Sequence, residues 1–288
     1  MTRLTAGLFP GQGSHTPDMR EHVERTAPEL LARCIELIGE DPFPRVAEST
    51  RFAQPAILCA SITGWLRHRP QARLAAVAGH SLGELGALVA AQALDVDSAL
   101  VLAVRRGELM AASGPDASGM LALLGAEEQL VRALTERHAL ALANDNAPGQ
   151  AVVAGELGQL RDAAADAREG GARAILLDVA GAFHSPSMAA AVQPFRAALA
   201  EVEFRPPEIH VISCSTGRPF ADVRDELAEA IVRPVRWRET MLALARLGVE
   251  RFVDFGPGEV MARLVGRNVP GADALAAESL ARELSHVV

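Results

Sequence analysis

The sequence predicts an α/β protein: a larger α/β body interrupted by a small module with a sheet of its own. Three observations predict it. A short apolar run (74–78) meets Gly79-His80-Ser81-Leu82-Gly83, and a proline-free, small-residue stretch (84–93) follows, the strand–turn–helix order of an α/β unit. Between 116 and 185 the pattern breaks into six short alternating elements. At 288 residues and 49% apolar composition, the chain can bury a substantial core and still carry an insert.

The elements follow in order. Residues 4–9 read as a strand that ends at Pro10 and enters the turn Gly11-Gln12-Gly13-Ser14. A dinucleotide fingerprint fails there, because the third glycine of G-x-G-x-x-G would fall on Thr16. What remains open is a loop whose backbone N–H groups face a ligand, or an ordinary strand–helix turn. Residues 18–38 carry apolar positions at helical spacing (Val23, Ala27, Leu30, Leu31, Cys34), and residues 52–65 read as a second, buried helix with Pro55 near its start. Asp97 is a candidate cap for a helix running to about 112. On that helix Arg105 and Arg106 are either a solvated face or include one arginine turned inward to hold an anion.

After the break at 113–116, the pattern gives a strand at 119–124, a helix at 127–138, strands at 139–143 and 150–154, a helix at 157–169 and a strand at 172–177. That βαββαβ order predicts a ferredoxin-like module. Its middle strands are joined by a turn at 144–149, and His184 sits where the chain leaves the module. Beyond it a helix begins near Met188. A strand at 209–213, a helix at 224–231 and a last strand at 251–255 follow, then a turn at 256–258 and, from about 271, a tail with few anchors.

Composition excludes several chemistries. A net charge of -8 argues against a nucleic-acid binder, whose affinity is mainly cationic. All 28 basic residues are arginine, so no P-loop lysine, Schiff-base lysine or Ser-x-x-Lys hydrolase is possible. Cys34, Cys59 and Cys214 lie far apart with no C-x-x-C spacing, which predicts buried thiols in a reducing, cytoplasmic setting and no metal site. No secretory signal and no membrane-spanning run is expected.

Gly-x-Ser-x-Gly between strand and helix is the nucleophile-elbow pattern. The turn strains the serine backbone, lifts its hydroxyl into the open and sets it near unpaired N–H groups of the helix start. Ser81 then needs a base. His22, His68, His138 and His286 sit among polar neighbours and read as solvated, His210 as structural, and His80 as a buttress of the elbow. His15 lies in the first loop, which leaves His184 as the best base. Asp254 falls after the serine and histidine in chain order, and Asp178 lies too close to His184, so a Ser–His dyad oriented by a backbone carbonyl is favoured.

GLFPGQGS, GHSLGE, Arg106-Gly107, GAFHSP and FGPG occur in that order over roughly residues 5 to 265, and in this the chain resembles the malonyl-CoA:acyl-carrier-protein transacylases. The resemblance implies an α/β-hydrolase-like catalytic domain over 1–115 and 186–288 with a ferredoxin-like small domain over 116–185. It makes Ser81 the nucleophile, His184 the general base and the backbone N–H groups of Gln12 and Leu82 the oxyanion hole. Arg106 matches the arginine that pairs with the malonyl carboxylate, and Phe183, His80 and Asn146 join it as substrate-binding residues. The segment Arg233-Pro234-Val235-Arg236-Trp237 corresponds to the one whose main-chain carbonyl orients the histidine; its arginines and His15 depart from the family pattern. Phe183 before the base implies preference for malonyl over branched acyl groups.

The implied donor is malonyl-CoA, and the acceptor is the phosphopantetheine thiol of an acyl carrier protein. No metal or redox cofactor is implied, and a monomer is expected. An acidic carrier would need a local basic patch, for which Arg67, His68, Arg69 and Arg73 are candidates. The alternatives are a stand-alone acyltransferase of a polyketide synthase or malonate decarboxylase system, an acyl-thioester hydrolase, and a degenerate scaffold that binds carrier protein without chemistry.

Overall fold

The computed structural model describes residues 3–114, 117–179 and 181–280; the expected module boundary at 115–116 and His286 lie outside them. In chain order the first elements are β1 (Leu4–Phe9), α1 (Met19–Thr26), α2 (Pro28–Ile38), α3 (Thr50–Ala72), β2 (Leu74–Gly79), α4 (Gly83–Ala90) and α5 (Val96–Ala111). Then come β3 (Ser118–Leu124), α6 (Glu128–Arg137), β4 (Ala141–Ala147), β5 (Gln150–Glu156), α7 (Leu157–Glu169) and β6 (Arg173–Leu176). The chain continues through α8 (Ala189–Ala200), β7 (His210–Ile212), α9 (Val223–Glu229), α10 (Trp237–Arg246), β8 (Val249–Asp254), α11 (Val260–Asn268) and β9 (Asp273–Ala276).

Two sheets organise this mixed α/β fold. Five parallel strands run in the order β7-β2-β1-β8-β9. Helices cover both faces, so β1 and the second half of β2 are buried on each side, which is why they read as continuous apolar runs and not as alternating ones. The four-stranded antiparallel sheet has the order β4-β5-β3-β6, with α6 and α7 closing a separate small core around Leu121, Val131, Leu134, Val153 and Leu160. Strand β4 also bridges the segment before α10: Asp145 N–H donates to Val235 O at 2.8 Å and Val235 N–H to Ala143 O at 2.8 Å. The C-terminal ends of β1 and β2 and the free edge of β4 therefore converge on one region.

Several expectations change. The helix expected over 18–38 is two, because Pro28 has no N–H to continue the first and instead opens α2. Asp95, not Asp97, caps α5, its carboxylate accepting from Ser98 N–H at 2.9 Å; Asp97 instead pairs with Arg33 at 2.5 Å. Strand β4 runs through Ala147, so Asn144 and Asn146 lie in a strand and the expected 144–149 turn shrinks to 148–149, with Gly149 at φ 71°. Pairing with β5 and Val235 at Asn144, and the Asn268 amide on the Asn146 carbonyl, supply the partners that these residues would otherwise seek in a turn. Of the expected loose tail, the described part from 271 to 280 is anchored: β9 pairs with β8 as a further parallel strand, and Ala276, Ala277 and Leu280 are buried. Among the described residues no helix is long and apolar enough to cross a membrane.

Candidate active site

The elbow joins β2 to α4 with Ser81 at φ 53°, a left-handed conformation that a non-glycine residue adopts only at a cost. Both flanking glycines are required by space. A Cβ on Gly79 would stand 1.9 Å from Gly83 C, and one on Gly83 would stand 2.0 Å from Phe9 O. The turn can be this tight only because the chain passes itself and β1 without side chains at those two positions. Gly11 approaches the elbow from the other side, where an added Cβ would lie 2.7 Å from His80 O.

His184 reaches Ser81 from the far side of the cleft, also at positive φ (58°). Its Nε2 lies 2.7 Å from Ser81 Oγ, and its Nδ1 lies 2.8 Å from Ala230 O and 3.1 Å from Arg233 O. Two carbonyls can only accept, so Nδ1 carries the proton and Nε2 offers a lone pair to the Ser81 hydroxyl. Burial, and then the nearby Arg106 cation, push His184 down to about 3, so the ring is neutral at physiological pH. Among the described residues no carboxylate bonds His184, whose Nδ1 is held by the two carbonyls. Asp254 is occupied elsewhere: its carboxylate accepts the N–H groups of Gly256, Met261 and Ala262 and holds the turn after β8 against α11.

Arg106 comes from α5 and is 4% exposed. Its Nη2 donates to Ser81 Oγ at 3.1 Å and its Nη1 to Gln54 Oε1 at 2.8 Å. Burial lowers its pKa to about 10, opposed by Glu84, so it remains a cation. Glu84, in the first turn of α4, is fully enclosed; burial raises it to about 7 against the pull of the Cys214 N–H that it accepts at 2.8 Å. Gln54 and Glu84 are absent from the sequence reading. A signal existed for each: Gln54 is the one amide in the apolar run of α3, and Glu84 is an acid in a stretch otherwise made of glycine and apolar residues.

Among the described residues the backbone N–H groups of Gln12 and Leu82 have no intramolecular acceptor, and both belong to the loops that flank Ser81. A cavity of about 480 Å³ opens over Ser81 and His184, lined also by Gln12, His80, Phe183 and Asn144. Asn146 does not line it. Its Oδ1 lies 2.9 Å from His80 Nε2, so it holds the His80 ring, which burial keeps neutral, against the elbow. On β4, Asn144 is the asparagine that faces the cavity.

The histidines expected to be solvated are not uniformly so. His68 is 3% exposed, and His138 is held by Asp166 at 2.8 Å. Of the candidate basic patch Arg67, His68, Arg69 and Arg73, His68 is buried and Arg73 stands at the far end of β2 from Ser81. Arg73 precedes β2 while Ser81 follows it, and six strand residues at about 3.3 Å each put roughly 20 Å of sheet between them. Among the described residues no cluster of three or more His, Cys, Asp or Glu side chains is placed to hold a metal.

The chain is similar in sequence and fold to known proteins. The acyl transferase domain model covers residues 31–285. The polyketide biosynthesis protein ThaF of Burkholderia thailandensis is 38% identical over 303 aligned positions, which take in 99% of this chain and 26% of ThaF, so this chain spans about a quarter of that protein. The polyketide biosynthesis malonyl CoA-acyl carrier protein transacylase PksC of Bacillus subtilis is 34% identical over 93% of this chain and 98% of its own length. Among solved structures, an acyl-carrier-protein S-malonyltransferase from Burkholderia pseudomallei superposes with a TM-score of 0.91 at 32% identity, covering 98% of this chain and 99% of that one. A malonyl-transacylase solved in complex with a type II PKS acyl-carrier protein superposes at 0.90 with 29% identity, covering 98% and 99%. A match over most of the chain, together with a relative of nearly equal length above 30% identity, establishes that this protein belongs to the acyl transferase domain family.

Proposed function

We propose that this protein is a malonyl-CoA:acyl-carrier-protein transacylase that works through a malonyl ester on Ser81. The observation that carries the reading is the buried Arg106 guanidinium, with Nη2 3.1 Å from Ser81 Oγ, beside a Ser–His pair. A simple thioester hydrolase has no need of a cation there. A malonyl thioester does, because its free carboxylate lies two bonds from the carbon under attack.

The steps follow from the tautomer. His184 Nε2 takes the Ser81 proton as Oγ bonds to the thioester carbon, and the resulting oxyanion is held by the N–H groups of Gln12 and Leu82. The oxyanion then collapses to the Ser81 ester carbonyl as the bond between the acyl carbon and the CoA sulfur breaks, and the imidazolium gives its proton to that sulfur. In the second half-reaction His184 deprotonates the phosphopantetheine thiol, its sulfur attacks the ester, and Ser81 leaves with the proton. No bound cofactor takes part. When the malonyl carboxylate meets Arg106, the positive field on His184 is compensated, so substrate binding itself raises the basicity of the ring that must accept the proton.

The two-sheet topology supports an α/β-hydrolase-like catalytic domain (1–115 and 186–288) carrying a ferredoxin-like small domain (116–185). Phe183, on the cavity wall, supports preference for the unbranched malonyl group. Relatives named for polyketide biosynthesis support a polyketide carrier protein as acceptor. A monomer acting in the cytoplasm fits three unpaired, buried cysteines. The test is transfer from malonyl-CoA to a panel of phosphopantetheinylated carriers: malonyl-carrier should form at rates far above release of free malonate. Malonate released at equal rates with and without carrier would make the protein a hydrolase.

A further inference from the structure

The cation beside Ser81 and the loop that supplies the Gln12 N–H are joined by an unbroken chain of side-chain hydrogen bonds. Arg106 Nη1 donates to Gln54 Oε1 at 2.8 Å, Gln54 Nε2 donates to Thr50 Oγ1 at 2.9 Å, and Thr50 Oγ1 lies 2.6 Å from Gln12 Oε1. A guanidinium can only donate, so the Gln54 amide can point only one way. Its NH2 then faces Thr50, whose hydroxyl donates to Gln12 Oε1. The fixed charge at one end therefore sets the orientation of the Gln54 amide.

Packing preserves the arrangement. Gly107 lets α5 close on the start of α3, since a Cβ there would stand 2.9 Å from Thr50 O. Gln54 is fully buried and Thr50 is buried. Gln12, by contrast, sits exposed in a glycine-flanked turn, and the Thr50 hydroxyl is the one side-chain partner its amide has among the described residues.

We propose that Thr50 is a positioning residue that ties the oxyanion loop to Arg106 through Gln54 and so fixes the Gln12 N–H at the distance the tetrahedral intermediate requires. The proposal rests on the acyl-enzyme reading above. Thr50 touches neither the ester nor the carboxylate; it acts by holding Gln12, and the effect belongs to the transition state, where the oxyanion exists.

The test is burst acylation by malonyl-CoA and by acetyl-CoA in wild type, Thr50→Val, Thr50→Ser, Gln12→Met and the Thr50→Val/Gln12→Met double variant. Thr50→Val should lower the acylation rate constant about tenfold for both donors with KM unchanged, the size expected when one positioning bond is lost. Thr50→Ser keeps the hydroxyl and should remain within about twofold of wild type. The double variant should lose no more than the slower single variant, because both remove one bond. Thr50→Val at the wild-type rate, or losses in the double variant that simply multiply, would overturn the proposal. If Thr50→Val fails to fold, Gln12→Met, changed at an exposed side chain, carries the same test, and a wild-type rate there overturns it. Absence of any acyl-enzyme on wild type would instead remove the transacylase reading beneath it.

Discussion

Arg106 holds the hydroxyl of Ser81 before any substrate arrives: Nη2 lies 3.1 Å from Oγ while the other branch of the guanidinium is pinned to Gln54. One buried cation therefore holds the Ser81 hydroxyl and lowers the basicity of His184.

Replacing this cation should separate substrates by charge. Arg106→Ala is expected to slow acylation by acetyl-CoA about tenfold, because it releases the Gln54–Thr50–Gln12 chain, and to slow acylation by malonyl-CoA roughly 30- to 100-fold beyond that, the worth of a buried charge-assisted pair. Rapid-quench measurement of both rates checks it. Equal losses would mean that Arg106 only holds the fold, for instance as the partner of Glu84.

The protonation state of His184 sets the pH dependence. An ordinary histidine, near 6.5, loses its base form as pH falls through that value; burial and Arg106 move this limb down toward about 3. For the free enzyme, kcat/KM with malonyl-CoA should keep more than about half its pH 7.5 value at pH 5.5, where an unshifted ring would be about nine-tenths protonated. An acid limb centred above pH 6 would contradict the neutral, doubly carbonyl-held ring.

The elbow glycines should tolerate nothing. Gly79→Ala drives a methyl to within 1.9 Å of Gly83 C, and a loss of more than about 4 kcal/mol is expected, enough to leave no folded protein at 37 °C. Gly158→Ala is the contrast, since its Cβ would meet nothing within 4 Å on α7, and its melting temperature should hold or rise. A stable Gly79→Ala protein would show that β2 and α4 do not meet as closely as described.

Acyl selectivity should respond to Phe183. This ring, 5% exposed, lines the cavity beside His184 and packs over Gly181. Phe183→Ala is expected to improve methylmalonyl-CoA relative to malonyl-CoA about tenfold, the discrimination that one methyl in an apolar pocket supports. Competition between the two thioesters for one enzyme sample measures it directly, and an unchanged ratio places the branch point of the substrate elsewhere.

What was legible in the sequence was what local sterics or local pattern enforce. The elbow is such a case, since Gly79 and Gly83 answer clashes with near neighbours and with β1. The alternation through β3 to β6 is another. The small sheet follows from element order and is built in the order β4-β5-β3-β6. What could not be read depends on partners distant in the chain. Strand β9 is four residues whose identity as a strand comes from pairing with β8. Asn146 resembles a turn residue until His80 and Asn268 claim it. Asn144 faces the cavity only because β4 runs on past it. Gln54 lies 52 residues from Arg106, and a buried amide shows its purpose only when the guanidinium is beside it.

The central claim is that a malonyl group rests on Ser81. Intact-mass spectrometry after mixing with malonyl-CoA, followed by peptide mapping, tests it most directly. The wild-type protein should gain one malonyl mass on the peptide that contains Ser81 and lose it on adding phosphopantetheinylated carrier, while Ser81→Ala gains none. An adduct of normal yield on Ser81→Ala, or none on the wild type, would contradict the account.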